Sequence, residues 1–160
     1  MYVIMKKTII TISFVFCTLS LIAQINSEKE AVNAMKWLLE NPQIESKKIF
    51  NTKTSEITAW RLSNVLNPEL HLKEKVDFIM ELGDSDYSNE FSVIYDFGNF
   101  IQKIENSNYN KKLFEFYSIR GVLKYYKILI KLDENCVINY LDDLIVLSEK
   151  ELIEKFTTKN

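Results

Sequence analysis

The chain is short of the residues that punctuate folds and build familiar sites. Its 160 residues hold three glycines, two prolines, two cysteines and one histidine. Sandwiches and barrels need frequent turns rich in glycine and proline. Gly83, Gly98 and Gly121, with Pro42 and Pro68, are too few for that. Long helices joined by few tight turns are expected instead. The same scarcity argues against glycine loops that cradle phosphate. No G-x-S-x-G, S-x-x-K, H-E-x-x-H or C-x-x-C occurs, so the sequence offers no familiar catalytic set and no cofactor signature. His71 stands alone, and metal sites and nucleophilic dyads need a second converging group. No metal is expected.

What is present begins with an apolar leader. Lys6 and Lys7 precede Thr8–Ala23, sixteen residues without a charge. A polar exit follows at Gln24 and Asn26. This is the layout of a secretory signal peptide. The run falls short of the ~20 apolar residues that a spanning helix needs. Residues 1–24 are therefore expected to be a cleaved signal, and residues 25–160 a single domain in the periplasm or outside the cell. The alternative is an uncleaved leader anchoring the protein to a membrane. Cys17 raises lipidation, but bulky Phe14, Val15 and Phe16 precede it where small residues are usual.

Without the leader, 18 basic residues face 22 acidic ones. This mild acidity argues against a general nucleic-acid binder. Only Cys136 then remains, so no internal disulfide is available and packing must supply stability. A buried, inert thiol is expected there.

The helix pattern is readable along most of the chain. Ser27 and Glu30 fit a capping box, and Ala31, Ala34, Met35, Leu38 and Leu39 share one helical face. Residues 43–53 read ambiguously. A second helix is expected from Thr54 or Ser55 to Leu66, with Ile57, Trp60, Leu62 and Val65 apolar. Asn67-Pro68-Glu69 starts a third, which runs to Leu82 with Leu72, Val76, Phe78 and Ile79 on its apolar side and stops at Gly83. A fourth covers about 86–105, with Asn89, Ser92, Asp96, Asn99 and Lys103 as its wet stripe. From Tyr109 to Leu132 a very apolar helix is expected. Its polar side changes from Lys111, Glu115 and Ser118 to Arg120, Lys124, Lys127 and Lys131, which predicts a kink at Gly121. A last helix runs from Cys136 to about Lys155, with a restart at Ser148. The fold class is all-α: six or seven helices in a bundle or short array.

Several stretches invite chemistry. In GDSDYSNE, Asp84, Asp86 and Ser88 alternate like calcium ligands, but the sixth and twelfth positions are Asn89 and Tyr95 rather than glycine and glutamate. A helix-capping loop is the plainer reading. Asp142 and Asp143 are helix neighbours and do not face each other. A carboxylate hydrolase would need acids such as Glu90, Asp96 and Asp142 to converge. Trp37 lies on the polar side of the first helix, and the 43–53 segment is expected to fold over it.

The most suggestive surface is a stripe. Ten of the seventeen aromatics beyond the leader lie between Phe91 and Tyr126. Phe116 and Tyr117 line up with Arg120, Lys124, Lys127 and Lys131 on one helix. Aromatics and arginine are enriched at binding hot spots, and a basic stripe suits an acidic partner. The expectation is an exported, non-catalytic protein that binds another macromolecule, most simply a protein, as an adaptor, inhibitor or immunity-type factor. The alternatives are a binder of a small apolar ligand and, after that, a carboxylate hydrolase.

Overall fold

A computed structural model describes residues 25–42, 47–63 and 72–157. The leader, the Asn67-Pro68 helix start and His71 lie outside the described residues. The described chain is all-α. Helix α1 spans Glu28–Glu40, α2 Lys47–Ser63, α3 Leu72–Glu81, α4 Ser88–Glu105, α5 Phe114–Leu132, α6 Asn139–Ile145 and α7 Glu149–Phe156, with a 3-10 turn at Lys111–Leu113 leading into α5. Among the described residues there is no strand, and no helix is long and apolar enough to cross a membrane.

Local chemistry sets the helix ends. Ser27 Oγ accepts from Glu30 N at 3.2 Å, while Glu30 Oε2 accepts from Asn26 N at 2.8 Å. The box closes one residue earlier than the standard pattern. At Ser148 it closes in full: Ser148 Oγ accepts from Glu151 N, and Glu151 accepts from Ser148 N at 2.8 Å. That cap starts α7, at the restart expected there from the sequence. Gly83 ends α3 at φ +61°, a conformation that costs a residue with a Cβ but not glycine.

Helix α5 is the axis of the molecule. Residues on nearly every side of it are buried, among them Phe116, Ser118, Ile119, Val122, Tyr125, Tyr126 and Leu129. It packs most extensively on α4 and also touches α1, α6 and α7. One continuous cluster of buried residues draws on all seven helices. Most of its members are aliphatic or aromatic, as non-directional burial of apolar area requires. The edge-to-face pairs of Phe91 with Tyr125 and Tyr126, at 5.7 and 6.1 Å, sit where α4 meets α5.

The structure corrects several sequence expectations. Helix α2 begins at Lys47, so most of the ambiguous segment is helical. Its buried stripe is Phe50, Ile57 and Trp60, and Leu62 points outward. Val76 of α3 is likewise exposed. Ser118 of α5 and Asn99 of α4, both read as wet, are buried: α5 is covered on both flanks, and Asn99 Oδ1 accepts from Tyr109 Oη of the segment before α5 at 2.8 Å. Above all, α5 runs unbroken through Gly121. Gly121 meets Gly98 instead. A Cβ built on Gly121 would lie 2.7 Å from Gly98 Cα, and one on Gly98 would lie 2.7 Å from the Tyr117 carbonyl oxygen. Both glycines serve close approach of two backbones.

Trp37 is covered, by α2. Lys53 Nζ lies over its ring, 4.9 Å from the centroid. The indole is half-buried beneath an aliphatic stem and its cation.

Candidate interaction groove

The stripe expected on α5 divides into two parts. Phe116 and Tyr117 are buried, at 2 % and 7 % exposure. Arg120, Lys124, Lys127 and Lys131 are exposed. The aromatic end is not a solvent surface, because α5 is enclosed there. Arg120 roofs it, with its guanidinium carbon 5.4 Å from the Phe116 centroid and 5.8 Å from that of Tyr117. The aromatics thus position a cation rather than present themselves to a partner.

The close approach at Gly98 and Gly121 creates a surface depression. Two helices that touch at glycine leave no side chains above the contact. A groove of about 370 Å³ lies there. Gly98 and Gly121 form its floor with Ile101. Lys36 and Leu39 from α1, Gln102 and Glu105 from α4, and Arg120 and Lys124 from α5 form its walls. Sequence reading identified the α5 wall but not the α1 and α4 walls. Lys36, Gln102 and Glu105 carry no linear signal; only the glycines on two long apolar helices marked where those helices meet.

The groove is basic but internally countered. Lys36 Nζ lies 2.7 Å from Glu105, Lys124 Nζ 2.6 Å from Glu40, and Arg120 3.4 Å from Glu149. Lys124 holds the Glu40 carboxyl below its usual range. All six side chains are 43 % exposed or more. Such surface pairs contribute little and are screened by salt, so they are readily exchanged for a stronger anionic partner. Lys127 and Lys131 make no ion pair among the described residues and extend the positive stripe beyond the groove.

Other chemistry-bearing residues are occupied structurally. Burial, with Asp133 and Asp142 nearby, pushes the Cys136 thiol up to about 11, so it is protonated and unreactive at neutral pH. Asp142 accepts from Tyr126 Oη at 2.8 Å, Asp96 pairs with Lys75 at 2.7 Å, and Glu90 with Lys47 at 3.0 Å. These three acids are committed to three different partners. In the 83–90 loop Asp84 and Asp86 are exposed, and serines hold the turn: Ser85 Oγ accepts from Tyr87 N, and Ser88 Oγ donates to the Ser85 carbonyl. A second depression of about 300 Å³ borders this loop and residues 133–138. There Tyr87 Oη donates to Asp133 at 2.7 Å, which lowers the Asp133 carboxyl below its usual range.

Comparison of the chain with family models, with curated proteins and with solved structures gives no match. The functional reading therefore rests on the groove itself.

Proposed function

We propose that this is an exported, non-catalytic helical protein that acts by binding a protein partner, and that an acidic segment of that partner lies in the groove between α1, α4 and α5. The observation that carries the reading is the convergence of Lys36, Arg120 and Lys124 from two helices around a concave floor, continued by Lys127 and Lys131. A rigid floor matters, because preorganised sites lose less entropy on binding. Glycine against glycine fixes the spacing of α4 and α5, and the buried rings hold Arg120. Export rests on the charged, apolar and polar sequence of the leader.

A labelled acidic peptide tests the groove by fluorescence anisotropy. The wild-type protein is expected to bind a peptide rich in Asp and Glu, to reject a matched basic peptide, and to lose affinity as salt rises. Lys124→Glu with Lys127→Glu is expected to weaken binding by about tenfold or more while the melting curve stays in place. Equal binding by the charge-reversed protein would remove the groove from the reading. Fractionation and intact mass of the tagged full-length chain in its native host test export separately. A full-length mass in the membrane would replace the exported form with the anchored one.

A further inference from the structure

Helix α1 stops before α5 does. Lys124 Nζ lies 2.6 Å from Glu40, the last residue of α1, and α5 runs on past Lys124 to Leu132. At about 100° per residue, Ile128 and Leu132 fall within about 20° of Gly121 around the helix axis. They therefore prolong the groove floor beyond the end of α1. Ile128 is half-buried and Leu132 is 57 % exposed. A single exposed leucine needs no explanation. Here it stands one turn from Ile128, in line with the floor, and beside a row of cations. Arg120, Lys124, Lys127 and Lys131 are all exposed, and their spacing gathers them in a strip about 60° wide that adjoins the apolar line. An apolar seam flanked by charge is the pattern of helix packed on helix: the seam supplies contact area and the charges choose the partner.

The spacing selects the form of the occupant. At about 1.5 Å per residue, the four cations stand at about 0, 6, 10.5 and 16.5 Å along α5. A helix laid alongside meets them at the same heights with acids at i, i+4, i+7 and i+11. An extended segment turns one face to α5 every second residue, about 6.6 Å apart, and reaches the fourth cation about 3 Å out of step. A helix also carries an apolar stripe and an acidic stripe side by side, as floor and cations require; a strand turned to α5 has one face for both. Helices that bind in grooves use such a stripe of anchors.

We propose that the groove's occupant is an amphipathic acidic helix of the partner protein, lying along α5 from Arg120 to Leu132, with acids at i, i+4, i+7 and i+11 toward the cations and an apolar stripe on Ile128 and Leu132. The proposal rests on the acidic-partner reading above and adds the form of the segment.

The test uses the full-length protein and two labelled peptides of one composition. In the ordered peptide, glutamates follow that spacing beside a leucine stripe. In the scrambled peptide, the same residues are rearranged so that the acids circle the helix. By fluorescence anisotropy the ordered peptide is expected to bind about tenfold more tightly than the scrambled one, and in the complex its carbon-13 Cα shifts are expected to be helical. Leu132→Gln removes the exposed apolar side chain and keeps a good helix former. It is expected to weaken the ordered peptide about fivefold and to leave both the scrambled peptide and the melting curve unchanged. Equal affinity for the two peptides, with both lost in Lys124→Glu with Lys127→Glu, overturns the helix and leaves the acidic-partner reading standing. An ordered peptide bound in extended form does the same. Binding of the ordered peptide unchanged in Leu132→Gln overturns the apolar contact. Absence of binding by either peptide overturns the helix and the acidic-partner reading together.

Discussion

Gly98 of α4 and Gly121 of α5 touch backbone to backbone. A Cβ on Gly121 would come within 2.7 Å of Gly98 Cα, and a Cβ on Gly98 within 3.1 Å of Gly121 Cα. This contact sets how closely the two longest core helices of the described chain approach. It also leaves the shallow floor over which Lys36, Arg120 and Lys124 gather. One local packing solution therefore shapes both the core and the surface proposed to bind a partner.

Alanine at either glycine should destabilise the fold. In an exposed helix, Gly→Ala gains up to about 1 kcal/mol from propensity. Here the added methyl meets carbonyl oxygens and Cα atoms, which cannot swing aside as side-chain ends do. Overpacking of this kind costs about 1–3 kcal/mol or more. Gly98→Ala and Gly121→Ala are each expected to lower the urea midpoint. The double variant should fall short of additive, because the first methyl already forces the helices apart. Stabilisation by either single change would show that the helices separate freely.

Tyr126 should be intolerant of losing one oxygen. Its ring is fully buried, and its hydroxyl donates to Asp142 at 2.8 Å and accepts from Ile138 N at 3.1 Å. The residue thus anchors the entry to α6 against α5. Tyr126→Phe keeps the ring and strands a buried amide donor, at a cost of about 1–3 kcal/mol. Chemical denaturation should show the loss, and amide exchange at Ile138 should quicken by more than that at Leu129 in mid-helix.

Cys136 should behave as a packing residue. With burial and two acids pushing its thiol up to about 11, about one molecule in ten thousand carries the thiolate at pH 7. Peptide-resolved alkylation is expected to be slow in the native protein and fast in denaturant. Rapid native labelling would contradict the burial.

Much of this fold was legible because helices announce themselves by period and cap. The face of α1 follows from spacing, as does that of α4 apart from Asn99, and Ser27 and Ser148 act as caps. The basic residues of α5 do share one exposed stripe. What failed has one physical origin. Periodicity reports which residues are polar, not how many neighbours a helix has. Helix α5 is covered on two flanks, so Ser118 is buried, Glu115 is half-buried, and Phe116 and Tyr117 lie beneath Arg120 rather than beside it on the surface. Gly121 read as a kink because a lone helix offers no other use for glycine; the second helix supplies one. The groove walls on α1 and α4 were illegible for the same reason, since they exist only once three helices meet.

Glu115 gives the pH dependence a definite sign. Burial first, then the acids Glu74 and Asp77 of α3, raise its carboxyl from 4.5 to about 7. Tyr95 of α4 and Tyr140 of α6 face the same region, and their hydroxyls are raised in part by the Glu115 charge. Between the unfolded value and the folded one, the native state holds the proton more tightly than the unfolded chain does. Stability from this group is therefore fully present below about pH 4.5 and is lost as pH rises through about 7. The group is only partly buried, so solvent screening cuts the effect to the order of 1 kcal/mol. Glu115→Gln removes the titration and keeps the shape. Relative to wild type it is expected to be near neutral at pH 4 and stabilising at pH 8, with the difference opening across pH 5–7. Because α3 brings the two opposing acids, Glu74→Gln with Asp77→Asn should recover part of the same gain at pH 8 with Glu115 intact. A difference between wild type and Glu115→Gln that stays flat from pH 4 to pH 8 would show that Glu115 is solvated like an ordinary surface carboxylate, and that α3 does not crowd it.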